Sequence, residues 1–361
     1  MSAKRFLLRV FLTSVMITGG LVAINWWIDL YGLFRDHKAP NGDYEGISIY
    51  SDERTSKFLL AHRYVPDFFE GYIIGPSLSA NVDPSSIDNH AIYNLSMMGA
   101  NITEEAAVVR KAMERRTPEL VVICVHPYLT LDHGMKTGMI NEREYYGALG
   151  SVSLYKAYLL WGIRKFNLAP SKYPKDQFSI YGYNDYGVTL VKMPVEDKIA
   201  EQLTRDDAVK TDIDPVAFED FKSLVNELNE KNVKVIAYFH PLPYPIYDKF
   251  RAPLDEYKKT MSDFLNGKAE IIDFTNDEAF TKDLTNYIDH GHLSDKGQTH
   301  LIQVLANHLN LEPPHLLTSS PPHLLISSPP HLLISSPPHL FSCRPNFPPS
   351  SLSRNRTRAL L

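Results

Sequence analysis

Cysteine is nearly missing from this chain. Cys124 and Cys343 are the two cysteines in 361 residues, too few for a disulfide framework and without the spacing that holds a metal. Cys124 lies inside Val121-Val122-Ile123-Cys124-Val125, an apolar run in which cysteine acts as a small hydrophobe. Acidic residues are missing from both ends. Residues 1–27 carry Lys4, Arg5 and Arg9 and no acid, and residues 313–361 carry four Arg and no acid. The body between them, 28–312, holds 30 basic and 42 acidic residues. Without a basic surplus it argues against non-specific nucleic-acid binding, which works by displacing counterions from phosphates.

Charge is missing from Val10 to Trp27, an 18-residue stretch that Phe6-Leu7-Leu8 extends beyond Arg9. This is near the minimum length that crosses a bilayer core. Three basic residues precede the stretch, and Trp26, Trp27 and Tyr31 follow it. Positive-inside bias and an exit-side aromatic belt predict a single-pass anchor in the inner (cytoplasmic) membrane, with the body on the periplasmic or extracellular side. A cleaved signal peptide is the rival reading. The length of the apolar region and the poor placing of small residues favour the anchor, and the lack of a polar face disfavours a buried core helix.

Residues 1–28 are therefore read as cytoplasmic tip and anchor, and 29–70 as a polar connecting segment. From Gly71 strands and helices alternate. Tyr72–Gly75, Ala91–Leu95, Leu120–Val125, Val233–Phe239 and Ala269–Phe274 read as strands. Asn101–Arg116, Val216–Asn232, Leu254–Leu265 and Asp295–Leu309 read as helices. That alternation predicts an α/β domain over 71–312 with a parallel, doubly wound sheet. It is interrupted at about 128–212 by a helix (Ser153–Phe166) and a tyrosine-rich loop, Tyr173 to Tyr186, long enough to be lid-like or a packed decoration. Residues 313–361 repeat Pro-Pro-His-Leu with a period of eight. Paired prolines forbid helix and sheet interior there, so the tail is expected to be extended or disordered.

Three short motifs carry chemistry. Gly75-Pro76-Ser77 follows the first strand, and a Ser at a strand's C-terminal end lies where doubly wound sheets place ligands. It is not the Gly-x-Ser-x-Gly elbow, because position 79 is Ser. Asn94-Leu95-Ser96-Met97-Met98-Gly99 follows the second strand, where the Gly99 N–H beside that of Ser77 could form an oxyanion hole, or Gly99 could simply make a turn. Asp289-His290-Gly291-His292-Leu293 precedes the last helix. Its three-residue spacing lets the Asp289 carboxylate reach Nδ1 of His292 and leaves Nε2 for a serine, although either residue could instead cap the helix. His290-x-His292 has no third ligand nearby in sequence, so neither metal nor cofactor is expected.

Together these motifs resemble the SGNH (GDSL-like) hydrolase superfamily, over about Gly71 to Leu309 apart from 128–212. Asn25-Trp26-Trp27-Ile28-Asp29-Leu30-Tyr31-Gly32-Leu33-Phe34 also resembles the junction after the anchor in membrane-tethered members of bacterial envelopes. The resemblance implies a three-layer, flavodoxin-like α/β/α body with Ser77 as nucleophile. It also implies Asp289 and His292 as the rest of a triad and Gly99 as oxyanion donor. It implies a serine esterase or O-acyltransferase acting on acyl, above all acetyl, esters of envelope or exported polysaccharide. The expected partners are an acylated glycan or small ester and a membrane acyltransferase. A non-catalytic partner in the same process is the rival. The sequence departs from the family at Pro76, at Leu78 where tethered members often carry Arg, and at His126. His126 stands where an oxyanion-donating Asn is expected, a loss worth about 3–4 kcal/mol where such donors have been deleted. His126 or Asn101 could substitute, and His240, which ends the fourth strand, could line the pocket.

Overall fold

Alternation within each strand builds two cores. The computed structural model describes residues 3–38, 46–50, 52–87, 90–132, 152–170, 177–186 and 193–310. Its strands are β1 (Gly71–Ile74), β2 (Ile92–Asn94), β3 (Leu120–Val125), β4 (Lys234–Phe239) and β5 (Glu270–Asp273). They form one sheet in the order β2-β1-β3-β4-β5, every pair parallel. Successive side chains point to opposite faces. Tyr72, Ile74, Val121, Ile123, Val235 and Ala237 join one core, whereas Ile73, Val122, Cys124, Ile236, Tyr238 and Ile272 join the other. β1 and β3 are consequently buried at every position, which is why they read as unbroken apolar runs.

The helices used below are α1 (Ala3–Ile28), α2 (Glu53–Leu60), α3 (Ser77–Ala80), α4 (Ile102–Met113), α5 (Val152–Lys165), α6 (Pro215–Glu230), α7 (Arg251–Leu265) and α8 (Asp295–Asn310), with further helices and turns between them. The apolar stripes of α2, α4, α6 and α7 cover the first face, and α8 covers the second. This is the three-layer α/β/α arrangement expected. α7 begins three residues before the expected start, because Pro253 is tolerated in a helix's first turn, where no intrahelical N–H bond is lost. Residues between α1 and β1 do more than connect: Leu30, Tyr31, Ile47, Ile49 and the apolar side of α2 are part of the first core.

α1 is 26 residues long and exposed along nearly all its length, long and apolar enough to cross a membrane. Its last turn docks on the body where Tyr158 of α5 donates to Oδ1 of Asn25. Cys124 is buried and free, and burial pushes its thiol up to about 12, so it is inert packing. Cys343, Tyr173 and the period-eight tail lie outside the described residues.

The strand order reverses between β1 and β3. In such sheets the crevice beyond the strands' carboxyl ends at that reversal is the ligand position. Ile74 pairs with Ile123, so Ser77 and His126, each three residues further on, leave adjacent strands at the same level.

Candidate active site

Close packing places the serine. Gly75 has φ +151, and a Cβ there would lie 2.6 Å from Cβ of Cys124 and 2.6 Å from Oγ of Ser79. A glycine alone lets the chain leave β1 this close to β3. Ser77 then opens α3. The Asn94 side chain fixes that helix: Nδ2 donates to the carbonyls of Ser79 (2.7 Å) and Val82 (2.8 Å), and Oδ1 accepts from Ser96 N (2.9 Å). Ser79 Oγ adds a bond to Ser96 Oγ at 2.8 Å.

A buried ionic cluster holds the loop after β2. Lys57, wholly buried on α2, donates to the Ser96 carbonyl and pairs with Glu53 at 3.1 Å. Glu105 accepts from Met97 N and Glu53 from Met98 N, both at 2.9 Å. Burial drives the Glu105 carboxyl well above the usual range. Two successive N–H groups of the loop are thus occupied. Gly99, at φ +66, follows them, and among the described residues neither its N–H nor that of Ser77 makes a hydrogen bond.

The Asp289–His292 half closes on itself. Asp289 Oδ1 accepts from Gly291 N (2.9 Å) and His292 N (2.7 Å), while Oδ2 sits 2.8 Å from Nδ1 of His292. Burial opposes the charge on Asp289, but the His292 ring and the two N–H donors outweigh it and hold the carboxyl well below its usual range. With Nδ1–H donated to Asp289, His292 presents Nε2 as acceptor. Nε2 is buried and has no hydrogen-bond partner. The His292 and Tyr186 rings meet edge-on, with centroids 4.8 Å apart.

Two contacts bring the halves together. Asn81 Nδ2, just past α3, donates to the Leu293 carbonyl at 2.8 Å, and Leu78 packs so tightly on Gly291 that a Cβ there would lie 2.9 Å from its Cδ2. A Ser77–His292 hydrogen bond is not among the contacts, since Nε2 of His292 is unpartnered. His126, His290, His292, Leu78 and Gly291 line one narrow crevice.

Three further expected residues take distinct places. His126 Nδ1 accepts from Tyr128 N at 3.2 Å, so the neutral ring carries its proton on Nε2. Burial, reinforced by His240, His292 and His290, keeps that ring well below its ordinary pKa and therefore neutral at pH 7. His240 Nε2 lies 2.8 Å from the Gly291 carbonyl and ties the Asp289–His292 loop to the end of β4. Its Nδ1 is buried and unpartnered. Asn101 does not reach the crevice: it is fully buried, Oδ1 caps α4 at Thr103 N and Nδ2 donates to the Leu131 carbonyl. Its Ncap role outweighs the oxyanion role considered for it. Among the described residues no group of three or more His, Cys, Asp or Glu is arranged to hold a metal.

Sequence reasoning missed Lys57, Asn81 and Tyr186. A lysine in an amphipathic helix and an asparagine in a turn carry no signal of a partner distant in sequence. The richness in tyrosine marked only the neighbourhood of Tyr186.

The sequence matches no family model, and no curated protein aligns with it. Among solved structures it is similar to a protein provisionally named a platelet activating factor from Streptococcus pneumonia, with TM-score 0.39 and 10% identity over 71% of this chain and 91% of that one. It is also similar to an acetyl xylan esterase, with TM-score 0.35 and 11% identity over 66% and 99%. A third is a provisionally named acylhydrolase from Bacteroides fragilis, with TM-score 0.34 and 12% identity over 68% and 88%.

Proposed function

We propose that this chain is a membrane-anchored serine esterase or O-acyltransferase whose body works on the periplasmic or extracellular side of the inner membrane. Its substrates would be acyl esters, above all acetyl esters, of envelope or exported polysaccharide, with a membrane acyltransferase as partner. The observation that carries the reading is the state of His292: Nδ1 is held by a buried carboxylate, and Nε2 is withdrawn from water with no partner, next to the turn that bears Ser77. A base in that state accepts the serine proton as Oγ attacks an ester carbonyl, and Asp289 stabilises the imidazolium that forms.

The developing oxyanion would be met by N–H groups of Ser77 and Gly99, both without partners among the described residues, and by the Nε2–H of His126 in place of the expected Asn. His240 is a positioning residue that acts through the Gly291 carbonyl. His292 returns the serine proton to the leaving alcohol as the ester C–O bond breaks and the acyl group stays on Ser77 Oγ; it then takes a proton from water or a sugar hydroxyl as that oxygen attacks, and gives it to Ser77 Oγ as the acyl–Oγ bond breaks.

The test is hydrolysis of a chromogenic acetate ester by the purified full chain, with Ser77→Ala as control, together with labelling by a fluorophosphonate probe. Activity and labelling that both require Ser77 are expected; equal rates for the two proteins would remove Ser77 from the mechanism.

A specific feature favours a second reading, a non-catalytic partner in polysaccharide acylation or export. Leu78 fills the space over Gly291, and Ser77 makes no bond to His292. Retention of full cellular function by Ser77→Ala would select it.

A further inference from the structure

A second cavity, sharing no lining residue with the crevice, lies where α1 meets the body. It has a volume of about 310 Å³, and its lining includes Trp27, Arg35, His37, Tyr50, Trp161 and Lys165. α1 ends at Ile28, and Asp29 follows with φ +48. The Asp29 carboxylate gathers Leu33 N (2.8 Å), Phe34 N (3.1 Å), Arg35 N (3.0 Å) and His37 Nε2 (2.9 Å). It is thereby saturated by the turn it organises and makes no ion pair with the Arg35 guanidinium.

Arg35 is left under-partnered. Among the described residues it forms no ion pair, and its side chain makes one long bond, Nη2 to the Ile28 carbonyl at 3.4 Å. Its Nε–H is buried with no partner at all. Lys165 Nζ lies 4.8 Å over the Trp161 ring and is in no ion pair among the described residues. A buried guanidinium N–H without an acceptor is costly, and an anion reaching it forms a charge-assisted, fork-shaped pair. Depth selects the anion. The uncharged run of α1 ends at Trp27, so a cavity lined by Trp27 sits at the level of lipid headgroups, with tryptophans and a tyrosine as interface residues do.

We propose that this cavity binds the phosphate of an anionic phospholipid, with the headgroup between Arg35 and Lys165. The proposal rests on the membrane-anchored part of the reading above and not on the ester chemistry. A bound headgroup would fix the tilt of the body on the membrane and so the direction in which the crevice opens.

The full chain is reconstituted in nanodiscs of equal parts phosphatidylglycerol and phosphatidylcholine, and native mass spectrometry reads the lipid it retains. Preferential retention of phosphatidylglycerol is expected. Arg35→Gln should lower the retained ratio by about five- to tenfold, and Lys165→Gln, at an exposed position that folding tolerates, by about fivefold. Wild-type ratios in both variants would overturn the proposal. So would thermal stabilisation of the detergent-solubilised chain by inorganic phosphate equal to that by phosphatidylglycerol, which would make the ligand a free anion. Arg35→Gln should hydrolyse the acetate ester like wild type, and Ser77→Ala should keep the wild-type lipid ratio, so failure of the ester chemistry and failure of this site are read separately. Carbonate extraction tests the anchor alone: release of the chain from membranes overturns both anchor and cavity, whereas a retained chain without lipid preference overturns the cavity only.

Discussion

The proposed base, His292, and the proposed nucleophile, Ser77, are positioned by opposite means. The bonds around Asp289 span two or three residues, so the Asp289–His292 unit is built locally, and contacts such as His240–Gly291, Asn81–Leu293 and Leu78–Gly291 tie it to the rest of the fold. Ser77 is placed by strand register, by the approach of Gly75 to Cys124, and by an amide from β2. The difference teaches that His292 can be fully oriented by Asp289 while its Nε2, buried and unpartnered, is not engaged by Ser77. Substrate binding would close the gap, since catalytic hydrogen bonds often tighten only in the Michaelis complex.

Breaking either half alone separates the two. Ser77→Ala is expected to lower ester hydrolysis by about 10⁴–10⁶-fold, as removal of a triad nucleophile does, while leaving the local base unit intact. The low-field NMR signal of the proton on His292 Nδ1 should survive that substitution. Its loss would show that the base depends on the serine after all.

Asp289→Asn attacks the local half. A fall in kcat of about 10⁴ is expected from loss of the correct tautomer. Stability should also drop by about 1.5–3 kcal/mol, because Gly291 N and His292 N lose a charged acceptor. Denaturant midpoints of the two variants should therefore differ: near wild type for Ser77→Ala and lowered for Asp289→Asn. His126→Ala sharpens the comparison on the sheet-built side. It should cost about 10²–10³ in kcat with little change in KM, the size of one lost oxyanion donor, and His126→Asn should restore much of that. An unchanged kcat in His126→Ala would reduce His126 to packing.

The same contrast explains what was legible in the sequence. Strand runs that face two cores are continuous and apolar, and the five strands could be placed from them; helix ends shifted by a few residues where Pro253 and the caps decide. The Asp289-x-x-His292 geometry was legible because a three-residue turn dictates its own distances. The Ser77 turn was legible as a position at a strand end but not as a set of partners, because Asn81 to Leu293 and Lys57 to Ser96 join residues far apart in the chain. Asn101 misled for a related reason: an amide near the crevice in sequence is an attractive donor until its two bonds to the α4 cap and Leu131 are seen.

The remaining effect falls on stability, in two pH windows that belong to different elements. Burial, with repulsion from His292, pushes His240 from 6.5 down to about 4, against the pull of the Gly291 carbonyl and Asp289. Unfolded His240 takes a proton below pH 6.5 and the folded ring does not until about pH 4, so the unfolded state binds more protons in that window. Stability is therefore full above pH 6.5 and falls as pH drops towards 4, by on the order of 3 kcal/mol, with buried His126 adding in the same direction. Asp289 acts with the same sign in a more acidic window: its depressed carboxyl contributes above its unfolded pKa of about 3.9, and that contribution is lost as pH falls further. Urea midpoints across pH should show both slopes. In His240→Gln the slope between pH 6.5 and 4 should flatten while the more acidic one persists, whereas Asp289→Asn should lose the acidic slope. If His240→Gln retains the wild-type slope in the upper window, the histidine tie is not what couples the local base unit to the sheet.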